Sequence, residues 1–222
     1  MDALDPVPGE TVLEIGPGKG SLTEVLLARG LNVVAIEKDR ELAAALARPN
    51  LQVLQGDALR LEWPRVPKII GNIPYYITSP LIDKALTPPL PERVVFLVQA
   101  EVADRLAASP GSKTYGALSI GVQAVCRVEK LFTVAPGSFK PPPKVRSAVV
   151  RLTPLAEPLI KAEEITPFRK FVTACFSKRR KQLKNAVPGF SADQLEEMGI
   201  DPTLRPERLA PAAFVRLLRH RG

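Results

Sequence analysis

Four short segments carry residues whose types and spacing can do chemistry. The first is Glu14-Ile15-Gly16-Pro17-Gly18-Lys19-Gly20. Its glycines permit a tight turn and let backbone N–H groups approach a ligand closely. A G-x-G-x-G run alone is a weak signal that also suits a plain strand-to-helix turn. The dinucleotide fingerprint G-x-G-x-x-G competes as well, but the third glycine here comes one position too early for it. The acid ahead of the first glycine fits a positively charged sulfonium ligand better than a pyrophosphate. The second and third segments each offer a carboxylate. Glu37 ends an apolar run, where it can accept both hydroxyls of a ribose, and Asp57, in Gln55-Gly56-Asp57-Ala58, can accept from an adenine amine. Either acid alone suits a solvated loop. Together with the glycine turn they mark the carboxyl ends of three successive strands, where open α/β sheets bind ligands.

The fourth segment is Gly71-Asn72-Ile73-Pro74-Tyr75-Tyr76. Its bland reading is a proline-containing turn with an aromatic pair packed on a sheet. Its chemical reading starts from the exocyclic amine of adenine, a poor nucleophile because its lone pair is delocalised into the ring. An amide oxygen and a backbone carbonyl that accept its two protons would draw the nitrogen toward tetrahedral geometry and aim the lone pair at a methyl group. Asn72 supplies such an amide, Tyr75 can stack on a flipped base, and Pro74 stiffens the turn. No histidine is needed as a base, and the one histidine, His220, stands at the chain end.

The elements that must position these groups follow from the apolar patterning. Residues 11–15, 32–36, 51–55, 68–70 and 93–98 read as strands. Residues 21–29, with Ser21 as a cap, and 40–47 read as helices between them. This alternation predicts a parallel sheet covered by helices. Two β-branched runs, 128–134 and 147–152, have no helix between them and predict an antiparallel, hairpin-like pair at one edge. Pro154-Leu155-Ala156-Glu157-Pro158 reads as a linker. Beyond it Phe168, Phe171, Val172, Cys175 and Phe176 fall on one helical face, and Leu195, Met198, Phe214, Leu217 and Leu218 mark further short helices. The expected domains are 1–154, which carries the four segments, and 159–222, which is helical.

The chain has 222 residues, 45% of them hydrophobic and 24% charged, which suits a folded domain with a smaller second one. No apolar run is long enough to span a membrane, and the first residues carry acids and a proline rather than the basic and apolar regions of a secretory signal. Cys126 and Cys175 form no metal-ligand spacing, so no metal is expected and the reducing cytoplasm is the expected location. The net charge is +8, and it is uneven. Residues 161–222 hold thirteen Lys/Arg against seven Asp/Glu, whereas residues 1–160 hold eighteen against sixteen. Between residues 165 and 192 seven cations face no acid at all. A charge run is often only a solvated face, but these cations repel one another beside an apolar stripe, and phosphate binding explains them better.

These motifs together resemble the KsgA-type small-subunit rRNA adenine dimethyltransferases. Asn72-Ile73-Pro74-Tyr75 after the glycine turn carries the likeness. It continues through 98–106, Tyr115-Gly116-Ala117-Leu118-Ser119, Phe139-Lys140-Pro141-Pro142-Pro143-Lys144-Val145-Arg146-Ser147, the basic stretch 176–185, and Arg205-Pro206-Glu207-Arg208-Leu209. The resemblance implies a class I methyltransferase (Rossmann-like) fold with a mostly parallel seven-stranded sheet and a small all-helical C-terminal domain. It implies transfer of methyl groups from S-adenosylmethionine, leaving S-adenosylhomocysteine, to two adjacent adenosines near the 3′ end of small-subunit rRNA during ribosome biogenesis. Carried over by motif, Glu14, Gly16, Gly18, Glu37, Lys38, Asp57, Ala58 and Asn72 hold the cofactor. Asn72, Tyr75 and Phe139 act on the target base, with Phe139 stacked on it. Lys140, Lys144, Lys178, Arg179, Arg180, Lys181 and Lys184 contact RNA, and the 178–184 group is expected on a basic helix. The implied partner is rRNA of a pre-30S-type particle, and a monomer suffices.

One family feature has no counterpart. A segment resembling Gly-Gln-Asn-Phe-Leu, which precedes the first strand and helps enclose cofactor and base, matches nothing in residues 1–10. The chain as given is therefore expected to bind cofactor more weakly than a longer form. Two other readings stand beside the main one: a large-subunit rRNA adenine methyltransferase of the kind that confers antibiotic resistance, and an assembly factor that binds pre-rRNA without methylating it.

Overall fold

The computed structural model describes residues 2–139, 142–178 and 180–221. Among them the chain forms seven strands in one sheet, ordered β3-β2-β1-β4-β5-β7-β6. The strands are β1 (Thr11–Ile15), β2 (Asn32–Glu37), β3 (Leu51–Gln55), β4 (Lys68–Asn72), β5 (Arg93–Gln99), β6 (Cys126–Val134) and β7 (Ser147–Pro154). The first five pair with one another in parallel, and β7 runs antiparallel to β5. The central strands β1, β2 and β4 are buried along nearly their whole length, as their continuous apolar runs require when helices cover both faces. The β-branched pair lies at the edge as expected, β7 against β5 and β6 outermost.

The strand order reverses beside β1: the chain moves to β2 on one side and later to β4 on the other. At such a point the connections leave in opposite directions and open a crevice at the carboxyl ends of the strands. Two helices flank it. α1 (Ser21–Ala28) follows β1, and α2 (Arg40–Ala45) follows β2. The cap of α1 is Gly20, with φ of 86° and no side-chain hydrogen bond, rather than the expected Ser21. The glycine turn itself delivers the chain into the helix in a left-handed conformation that serine would resist. The side chain of Asp39 caps α2 and accepts from the Glu41 and Leu42 N–H groups. After β4 come α3 (Thr78–Ala85) and, past β5, α4 (Ala100–Leu106).

The remaining helices are α5 (Ala117–Gln123), α6 (Ile165–Ser177), α7 (Leu183–Ala186), α8 (Ala192–Glu197) and α9 (Pro211–Arg221). The chain divides into two compact units, 1–103 with 128–154, and 104–127 with 155–222. One boundary between the units falls after Pro154. Residues 104–127, however, pack with the C-terminal helices instead of with the first 154 residues. Tyr115 explains why: it is fully buried and its hydroxyl donates to the Leu209 carbonyl at 2.9 Å. The linker is also pinned there, since Leu155 and Leu159 N–H donate to the carbonyls of Val125 and Ala124.

The core of this second unit is the expected stripe of α6, with Phe168, Phe171, Val172 and Cys175 buried and Phe176 against Phe214 of α9 at 6.0 Å between ring centroids. The expected basic helix is interrupted among the described residues. α6 ends at Ser177, and the chain turns before α7 begins at Leu183. Continuing the period of Val172 and Cys175 would carry position 179, an arginine, onto the buried face, and adjacent cations would crowd one another. Lys178, Arg180, Lys181 and Lys184 are exposed on this turn and short helix, without a carboxylate partner among the described residues. Lys140 and Arg179 lie outside the described residues.

Candidate active site

Two neighbouring cavities open at the carboxyl ends of the strands, and the Asn-Ile-Pro-Tyr-Tyr segment lines both. The first, about 490 Å³, is lined by Gly16, Glu37, Lys38, Asp39, Gly56, Asp57, Ala58, Pro74 and Tyr76, with apolar walls from Ile15, Ile36 and Ile77. The second, about 300 Å³, is lined by Asn72, Ile73, Pro74, Tyr75, Phe139 and Pro143. Pro74 belongs to both, and the consecutive tyrosines serve one each. A larger cavity of about 660 Å³, around Trp63 and Pro89, opens near the amino-terminal ends of β4 and β5, away from this crevice.

Glycine shapes the crevice at two places. Gly16 has φ of 69°, a conformation that side chains disfavour, and turns the chain sharply after β1. Gly71 pairs in register with Ile15, and a Cβ there would lie 2.6 Å from the Ile15 carbonyl oxygen. Only glycine lets β4 press this closely on the end of β1. That approach sets Asn72, the next residue, beside the glycine turn.

The carboxylates are held before any ligand arrives. Glu37 is 7% exposed, and its two oxygens accept the N–H groups of Gly18 at 3.0 Å and Asp39 at 2.9 Å. The same bonds brace the glycine turn, and each oxygen keeps lone-pair capacity for a hydroxyl. Asp57 accepts the Leu59 N–H at 2.9 Å and pairs with Lys38 at 3.1 Å, and these contacts hold its carboxyl below the usual range. Glu14 is buried, 1% exposed, and accepts the Thr23 hydroxyl at 2.6 Å. Burial pushes its pKa up to about 7, against the lowering effect of the Thr23 bond.

The base-side groups are placed differently. Asn72 is exposed, and its carboxamide makes no hydrogen bond among the described residues. The Tyr75 hydroxyl pairs with the Ser147 hydroxyl at 2.6 Å, which ties the motif to the start of β7. Tyr76 is 78% exposed over the first cavity.

The structure thus brings Gly16, Glu37, Lys38, Asp57 and Ala58 to one cavity, and Asn72, Tyr75 and Phe139 to the other. Glu14 and Gly18 line neither; Gly18 donates to Glu37, which borders the first, and Glu14 bonds Thr23, which borders neither. Asn72, expected at the cofactor as well, borders only the second. Lys144 is exposed. Sequence reasoning gave no role to Asp39, Tyr76, Thr23 or Ser147. Tyr76 alone carried a signal, as the second half of an aromatic pair.

An open sheet of this order, with a glycine turn after β1 and carboxylates after β2 and β3, defines the class I methyltransferase fold. Within that class, the sequence pattern of the ribosomal RNA adenine dimethylase family matches residues 1–219, and the chain belongs to that family. It is similar to the ribosomal RNA small subunit methyltransferase A of Pseudomonas aeruginosa, with 46% identity over 98% of this chain and 86% of the relative. The protein of the same description from Acidithiobacillus ferrooxidans is 44% identical over 97% of this chain and 85% of its own length. Among solved structures, a dimethyladenosine transferase from Plasmodium falciparum matches with a TM-score of 0.86 and 31% identity, covering 99% of this chain and 92% of that one. The 23S rRNA methyltransferase ErmE matches with a TM-score of 0.76 and 29% identity, covering 98% and 93%.

Proposed function

We propose that this chain uses S-adenosylmethionine to dimethylate the exocyclic amines of two adjacent adenosines near the 3′ end of small-subunit rRNA. The observation that carries the reading is the pair of cavities sharing Pro74, one bordered by preset carboxylates and the other by a free carboxamide between aromatic residues. The first cavity falls within the roughly 300–1,000 Å³ of small-molecule sites. Its donor set fits the cofactor: Glu37 for the ribose, Asp57 and Ala58 for the adenine, and the turn at Gly16 for the amino-acid end. The bound cofactor supplies an electrophilic methyl carbon and leaves as S-adenosylhomocysteine.

The chain's own residues do the rest. Phe139 and Tyr75 stack on the everted adenine, and the Ser147 bond fixes the Tyr75 ring. The Asn72 side-chain oxygen accepts one amine proton, and a backbone carbonyl of the same segment accepts the other. Both bonds strengthen as the nitrogen becomes tetrahedral and positive, so they favour the transition state over the ground state. Lys144, Lys178, Arg180, Lys181 and Lys184, all exposed, neutralise rRNA phosphates, which positions the substrate without choosing the base. A monomer working in the cytoplasm meets these requirements, and no helix among the described residues is long and apolar enough to cross a membrane.

Incubation with immature small subunits and cofactor labelled in the methyl group tests the reading. Label in dimethyladenosine of small-subunit rRNA is the expected result. Label in large-subunit rRNA, or subunit binding with no label, would overturn it.

A further inference from the structure

The connection between β3 and β4, residues 56–67, has no regular secondary structure, yet it carries Asp57 and Ala58 to the first cavity. A loop of this length keeps one conformation only if its backbone groups find fixed partners. Two side chains outside the cavity provide them. The Trp63 indole N–H donates to the Ala58 carbonyl at 2.8 Å. The Lys84 ammonium donates to the carbonyls of Leu59, at 3.0 Å, and Leu61. It also lies over the Trp63 ring, 5.5 Å from the centroid. Burial lowers the Lys84 pKa, while the charges of Asp57 and Glu62 oppose that shift. Lys84 stands in the last turn of α3, a helix that begins directly after the Asn-Ile-Pro-Tyr-Tyr-Ile run. One helix therefore follows on the segment that aims the base and anchors the loop that seats the cofactor's adenine.

We propose that Lys84 is a positioning residue for cofactor binding, clamping loop 56–67 together with Trp63 so that Asp57 and Ala58 stand preset at the cavity. The proposal rests on the reading of that cavity as the S-adenosylmethionine site. Lys84→Met keeps the stem and removes every donor. The Leu59 and Leu61 carbonyls must then turn toward water, and the loop moves with them. Asn72 and Phe139 sit on other segments, so the loss falls on binding and spares the chemical step.

Calorimetric titration with S-adenosylhomocysteine, paired with methylation kinetics, tests this. Lys84→Met should raise Kd and the cofactor KM roughly 10-fold while kcat at saturating cofactor stays within about twofold. Lys84→Arg keeps the charge and donors and should recover most of the affinity. An unchanged Kd in Lys84→Met, or a fall confined to kcat, would overturn the clamp. The unmodified chain gives a second test that needs no variant. Trp63 is its only tryptophan, and a loop that is preset leaves its surroundings unchanged, so emission should stay nearly constant through the titration. A large saturable change in emission would show that the loop is seated only on binding, and would contradict the preset clamp. A chain that binds no S-adenosylhomocysteine by calorimetry would instead remove the cofactor reading, and the clamp with it.

Discussion

The two cavities of the proposed active site are built to different degrees of readiness. On the cofactor side, Glu37 and Asp57 are already fixed by backbone N–H groups and Lys38. On the base side, Asn72 is exposed, with its carboxamide unpaired among the described residues, and only Tyr75 is tethered. The difference separates binding from chemistry. Groups that are satisfied beforehand hold a ligand at little ordering cost. A group left unsatisfied makes its best bonds only as charge develops on the reacting nitrogen.

The sharpest way to break this contrast is Asn72→Ala. Methylation should slow on the order of 10²-fold or more, with rRNA affinity nearly unchanged because phosphates supply most of it. Rapid-mixing kinetics beside filter binding would check both.

Glu14 provides a pH test of the cofactor side. Its folded pKa, about 7, lies above the ordinary 4.5, so folding favours the neutral acid. That contribution is complete below pH 4.5 and is lost as pH rises toward 7. Glu14→Gln keeps an acceptor for Thr23 and cannot ionise. The variant's Tm should therefore gain on the wild type by roughly 5 °C across this window. Thermal melts at several pH values would show it, and a constant difference would contradict the burial of a titrating carboxyl.

Glu37→Gln should weaken cofactor binding roughly 10-fold, because an amide facing the Gly18 and Asp39 N–H groups can accept at only one atom. Calorimetry should place the loss in Kd, with kcat preserved at saturation. The smallest effect belongs to Tyr75→Phe. It keeps the stacking ring and removes the bond to Ser147, at a cost of about 1 kcal/mol in stability by urea denaturation.

Much of this arrangement was legible in the sequence, for physical reasons that also set its limits. The buried strands were readable because both their faces need apolar residues. Their carboxyl ends ran further than the apolar pattern, to Glu37 and Asn72, because the pairing of Glu37 with Gln55 and of Asn72 with Leu97 continues past it. Glu37 and Asp57 were readable from their place after strands. Thr23, Asp39 and Ser147 were not, because each matters through a hydrogen bond closed only by the fold. The expected basic helix failed where a run of cations met the end of an apolar stripe. The grouping of residues 104–127 with the C-terminal helices was not legible, because Tyr115 joins a partner 94 positions away.

The central claim is that Asn72 meets the target nitrogen beside the cofactor's reactive carbon. A crystal structure of the chain with S-adenosylhomocysteine and a short adenosine-containing RNA tests it most directly. The account predicts the cofactor product against Glu37 and Asp57, and the Asn72 oxygen within hydrogen-bonding reach of an adenine amine that faces the sulfur. An Asn72 side chain turned away from both, with the adenine seated elsewhere, would contradict it.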